Sequence, residues 1–95
     1  MAALKLAVAP EAERDITEAY LWYEDRRTGL GEEFVRAVDA GLESIRRQPE
    51  IYPVVHEAYR RALTRRFPYA VFYEYEGSIV TIYARDPDKW HRRLG

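Results

Sequence analysis

Phe34, Ala37, Val38, Gly41, Leu42 and Ile45 fall at i, i+3, i+4, i+7, i+8 and i+11, the buried face of an amphipathic helix. A second stripe precedes it. Ala12, Ile16, Ala19, Tyr20 and Tyr23 follow one another at spacings of four, three, one and three. Thr28-Gly29-Leu30-Gly31 leaves room between them for a tight turn only, so the two helices must pack antiparallel. Pro10 suits the first turn of the leading helix, where its missing N–H is no loss, and Glu11, Glu13 and Asp15 sit at its positive end. That helix is predicted to fade near Arg26-Arg27. The next begins near Gly31 or Glu32 and is stopped by Pro49 after Arg46 and Arg47. Gly41 gives up about 1 kcal/mol of helix propensity relative to Ala. Its place on the stripe beside Ala37 predicts that the first helix crosses there at close range.

The rest of the chain has a different period. Lys5–Val8 reads as a short edge strand before Pro10. After a weak stretch over 51–58, in which Pro53 marks a connector or a bent edge, three segments alternate with period two: 59–64, 69–75 and 78–84. Glu76-Gly77 is read as the two-residue turn between the last two. Pro68 stands before the middle one, where a missing donor is tolerable. The fold class is therefore α+β: an N-terminal strand, an antiparallel helical hairpin, then a three-stranded antiparallel meander (β-α-α-β-β-β). Asp86 and Pro87 cap a short C-terminal helix carrying Trp90. Ninety-five residues make one domain, over 1–95.

Alternation also sorts the side chains. With the turn at Glu76-Gly77, Tyr75 opposes Ser78, Tyr73 opposes Val80, Val71 opposes Ile82 and Tyr69 opposes Ala84, a mostly apolar floor for the helices. The other face carries Ala70, Phe72, Glu74, Ile79, Thr81 and Tyr83, and then Arg85. If Thr64 opposes Tyr69, Arg61 and Leu63 join that second face beside Phe72 and Ala70. A one-residue slip would exchange the faces. Cations beside aromatic rings suit an anionic or nucleic-acid partner, since guanidinium grips phosphate and rings stack on bases. They serve equally as local cation–π pairs or as an interface for another polypeptide. Lys89, His91, Arg92 and Arg93 would lie near the same basic face.

Composition narrows the alternatives. The net charge is −1, but residues 1–50 carry seven basic against eleven acidic side chains and residues 51–95 eight against five. The carboxy-terminal half is the anion-facing side. With no cysteine, disulfides and Cys-based zinc sites are excluded and a reducing, cytoplasmic setting is expected. Residues 2–9 are too short for a signal-peptide core, and nothing reaches the length of a membrane span. His56 and His91 lie 35 residues apart, so no metal site is expected, and no cofactor motif is present. Ser44 and Ser78 are the only serines, and neither has a histidine placed to activate it. Glu11, Asp15 and Glu18, at i, i+4 and i+7, read as a solvated helix face.

Taken in order, several features resemble the RelE/ParE toxin superfamily of bacterial type II toxin–antitoxin modules, often called plasmid stabilisation proteins. They are the strand running into Pro10-Glu11-Ala12-Glu13-Arg14-Asp15-Ile16, Tyr20-Leu21-Trp22-Tyr23, the stripe from Phe34 to Ile45 before Pro49, Arg66-Phe67-Pro68-Tyr69, and Ile82 through Trp90. The resemblance spans nearly the whole chain and implies two alternatives. A RelE-like protein would be a metal-free, ribosome-dependent mRNA endoribonuclease whose Lys, Arg and Tyr side chains orient the 2′-hydroxyl and stabilise charge on the scissile phosphate. A ParE-like protein would bind DNA gyrase and poison it without chemistry of its own. For the nuclease, Arg61, Arg85 and Tyr83 would be catalytic, with Trp90 or His91 as other proton donors. Ala70 and Leu63, however, stand where that branch carries further basic residues, and Arg66-Phe67-Pro68-Tyr69 leans towards ParE. For binding, the residues are Arg61, Arg66, Phe72, Arg85, Trp90 and Arg92. Either branch implies a cognate antitoxin as partner, a homodimer or a heterotetramer with it, no membrane association, and no cofactor or metal.

Overall fold

The computed structural model describes residues 5–83 of the chain. Its elements run β1 (Lys5–Val8), α1 (Pro10–Arg26), α2 (Leu30–Arg47), β2 (Val54–His56), β3 (Tyr59–Leu63), β4 (Ala70–Glu76) and β5 (Ile79–Tyr83). The predicted C-terminal helix lies outside the described residues. The helical hairpin is as expected. The sheet is not a three-stranded meander: it has five strands in the order β1-β5-β4-β3-β2 and is mixed, because β1 pairs parallel with β5. Two physical reasons account for the difference. Pro53 lacks a donor, yet its carbonyl accepts the N–H of Arg61 at 3.1 Å, so the bent connector continues into β2 as an edge strand. Local period marks β1 as a strand but does not name its neighbour. The hairpin crosses one face and delivers the chain to the far edge, leaving β5 open to β1.

The β4–β5 turn is Gly77-Ser78, not Glu76-Gly77. Glu76 pairs with Ile79, and Gly77 has φ 62°. Glycine at the first central position, alone in positive φ, is the II′ pattern that matches strand twist. The partner of Tyr73 is consequently Ile82 and that of Tyr75 is Val80. Each partner moves by two residues, an even step, so the faces stay as read. The β3–β4 register is the expected one, with Arg61 opposite Phe72 and Leu63 opposite Ala70.

Two packed clusters hold the helices down. Ala12 and Ile45 meet Ala62, Val71, Tyr73, Val80 and Ile82 on the sheet. Phe34 and Val38 meet Phe67 beyond the end of β3, where Phe34 lies 5.0 Å from Tyr23, 5.4 Å from Phe67 and 5.0 Å from Tyr69, ring centre to ring centre. The close approach of the two helices is at Gly31, not Gly41. A Cβ on Gly31 would lie 2.7 Å from the Tyr20 carbonyl oxygen, whereas one on Gly41 would meet nothing nearer than 3.9 Å, the Thr64 methyl. Gly31→Ala is therefore expected to destabilise by about 1–3 kcal/mol. Gly41→Ala should stabilise by roughly 0.5–1 kcal/mol. Urea midpoints of the two variants would check the opposite signs.

The turn between the helices is closed by Glu24. Its carboxylate accepts the N–H of Gly29 at 2.9 Å and of Gly31 at 3.0 Å, doing from the preceding helix what an N-cap side chain would do for α2. Asp15 is likewise more than a solvated carboxylate: it accepts the Tyr69 hydroxyl at 3.0 Å, tying α1 to the start of β4.

Tyr73, fully buried, donates to the Pro49 carbonyl at 2.6 Å. Burial pushes its pKa up to about 12, partly offset by the Arg60 guanidinium. A phenol held this way keeps its proton longer in the fold than in the unfolded chain. Its contribution to stability is complete below about pH 10 and is lost as pH rises towards 12, by roughly 2–3 kcal/mol over that window. Denaturant titrations between pH 9 and pH 12 should show the decline, and Tyr73→Phe should make it shallower.

Candidate functional site

Alternation along β3, β4 and β5 puts every second side chain on the face away from the helices. There the register lines up Arg61, Phe72 and Tyr83 as one row across three strands. Arg61 is exposed and forms no ion pair among the described residues, whereas Phe72 is only 8% exposed. Beside the row, Glu74 accepts the Tyr83 hydroxyl at 3.2 Å, and the Tyr59 ring stands 5.6 Å from that of Tyr83, nearly perpendicular to it. Burial and the Glu74 charge raise the pKa of both phenols. Both hydroxyls therefore remain protonated at neutral pH. Leu63 and Ala70 face each other on the other side of the row. Around the row stand Arg61, three rings and the Glu74 carboxylate, with Glu76 further along β4 and Lys5 of β1 opposite Ile79 on the same face.

Arg66 is not part of it. The β3–β4 loop carries Arg66 round to the helical side, where its guanidinium bonds Glu33 of α2 at 2.7 Å and holds that carboxyl below its usual range. Its φ is 72°, a left-handed conformation costing on the order of 1 kcal/mol for a residue with a Cβ. Thr64 holds the loop shut by donating to the Phe67 and Tyr69 carbonyls, each at 3.0 Å. The binding set expected from sequence is therefore split: Arg61, Phe72 and Tyr83 share one face, and Arg66 belongs to another. Arg85, Trp90 and Arg92 lie outside the described residues. Sequence reasoning left Glu74 and Tyr59 without a role, although period two already placed Glu74 beside Phe72, and the same alternation back from Arg61 reaches Tyr59.

A family profile for the ParE toxin of the type II toxin–antitoxin system, parDE, matches residues 6–84. The chain belongs to the ParE toxin family. A solved structure of the chromosomal ParDE TA system from P. aeruginosa superposes on it with a TM-score of 0.63 at 17% sequence identity, covering 84% of this chain and 90% of that one. At that identity the likeness speaks for the fold. No curated protein matches the sequence. Among the described residues of this ParE-family chain, no helix is long and apolar enough to cross a membrane.

Proposed function

We propose that this ParE-family chain is a toxin that arrests growth by binding an essential target such as DNA gyrase, and that a cognate antitoxin neutralises it. The observation that carries this reading is the make-up of the open sheet face. Arg61 offers an exposed cation and Tyr83 a half-buried ring, suited to a protein or nucleic-acid surface, with Phe72 buried in register between them. The two flanking positions, Leu63 and Ala70, form an apolar pair where the resemblance to the nuclease branch would call for further cations. Glu74, bonded to Tyr83, adds a negative charge that would repel a scissile phosphate. Charge stabilisation at an RNA phosphodiester requires more positive groups than this row supplies. Recognition by shape and stacking does not.

The rival reading, a ribosome-dependent endoribonuclease, draws on Arg61 and Tyr83 standing in one row. Expression of the chain alone in a bacterium distinguishes the two. Growth arrest with an induced DNA-damage response, intact transcripts and relief by the neighbouring reading frame is the expected result. Transcripts cut in the ribosomal A site would overturn the binding reading in favour of the nuclease, and unimpaired growth at verified levels of folded protein would remove both.

A further inference from the structure

The sheet ends at β2, which pairs with β3 on one side and has no strand on the other among the described residues. Sheets commonly blunt such an edge with charge or with a proline turned outwards. β2 has neither. Residues 51–55 are uncharged, and Pro53 faces the wrong way to serve. Its carbonyl accepts the Arg61 N–H from β3, so the donor it lacks falls on the inner side. Alternation then turns the N–H and carbonyl of the next residue, Val54, away from β3 and out of the sheet. Val54 still stands in register with Arg60, and the irregularity in the ladder comes only after it. Around these outward groups the surface is apolar: Ile51, Val54 and Val55 are 57%, 51% and 40% exposed.

A residue whose N–H and carbonyl both point outwards is complementary to the same residue in a second copy. We propose that two copies of this chain pair antiparallel through β2, with a two-fold axis at Val54 and two reciprocal hydrogen bonds between the Val54 backbones. No like charges meet at the seam, because residues 51–55 are uncharged on both sides. The exposed parts of three aliphatic side chains fall well short of the about 800 Å² per partner that a stable interface buries. The dimer is therefore weak and reversible, with an expected dissociation constant on the order of 100 μM. A foreign strand would need pockets for its side chains, and the cavities beside α2 and beside the β4–β5 turn are lined by neither Val54 nor Val55. Pairing β2 with the β1 edge of another copy would make a contact that does not close on itself. The two-fold axis stands perpendicular to the joined sheet, so the open faces of both copies lie on one side. Their β3 strands, each carrying an Arg61 row, are then three strand spacings apart, about 14 Å. On the proposed reading of that face as the target surface, the pair suits a two-fold symmetric target. Copies bound side by side on it would reach effective concentrations of about a millimolar, enough to close the seam.

The test uses the intact chain. Sedimentation velocity over concentrations spanning that constant is expected to show reversible dimerisation, at least tenfold weaker in Val54→Lys. The chain has no cysteine, so Val54→Cys supplies a single thiol at the axis. The Cα atoms of a hydrogen-bonded pair lie about 5.5 Å apart, within reach of a disulfide. Under a mild oxidant, Val54→Cys is expected to form a disulfide-linked dimer at least tenfold faster than Leu21→Cys, which is similarly exposed on α1. Circular dichroism melts establish that each variant is folded. A monomer throughout the range, a dimer that Val54→Lys leaves unchanged, or equal cross-linking at the two positions would overturn the proposal. So would protection of the Val54 amide from exchange that appears only when the product of the neighbouring reading frame is added. None of these readouts involves toxicity, so their failure leaves the toxin reading standing. A chain that dimerises through β2 yet leaves growth unimpaired would refute the toxin reading alone.

Discussion

Arg61→Glu is expected to abolish growth arrest while leaving the fold intact. Arg61 is exposed on β3, forms no ion pair among the described residues and stands in register with Phe72 and Tyr83, so nothing in the sheet needs its charge. Reversing that charge, the exposed cation of the row, should weaken target binding roughly 100-fold, the size of a hot-spot loss. The measurements are colony counts under induction and inhibition of gyrase supercoiling by purified protein. Thermal unfolding should move by no more than about 0.5 kcal/mol, as for other exposed substitutions. If Arg61→Glu kills as efficiently as the wild type, the open face is not the target-binding surface.

The largest effect on stability is expected at Phe34. Its side chain is wholly buried and touches the rings of Tyr23, Phe67 and Tyr69, so one residue of α2 anchors α1, the β3–β4 loop and the start of β4. Phe34→Ala should cost about 3–5 kcal/mol. A domain of this size has only about 5–15 kcal/mol to lose. The denaturant midpoint should collapse, and the loop that carries Arg66 should lose its seat. A midpoint shift equivalent to less than about 1 kcal/mol would mean that the cluster packs less tightly than the ring distances imply.

Periodicity made the helices legible because each buries a single face, and the apolar stripes of Ala12 to Tyr23 and Phe34 to Ile45 are that face. It made the sheet faces legible for a sturdier reason: the turn was displaced to Gly77-Ser78, but the pairing moved by an even step and Tyr73 stayed inside. What it left out was non-local. Nothing in Lys5–Val8 says that its neighbour is β5, and the short β2 is obscured by Pro53. Gly41 looked like the crossing point because it lies on the stripe, while the real contact depends on where Tyr20 points. Arg66 was grouped with Arg61 on the strength of the family resemblance. A single left-handed residue in the loop sends its side chain to Glu33 instead, and no pattern of hydrophobicity encodes that turn.

The parallel seam between β1 and β5 sets an order of events at synthesis. Lys5 finds Ile79, and Val8 finds Ile82, so the first strand made has to wait for the last. At about 5–20 residues per second β1 spends several seconds without its mate, and the sheet is sealed only after β5 has been made. Contacts this distant along the sequence form slowly even then. Until β5 is made, β1 has no partner at its edge of the sheet.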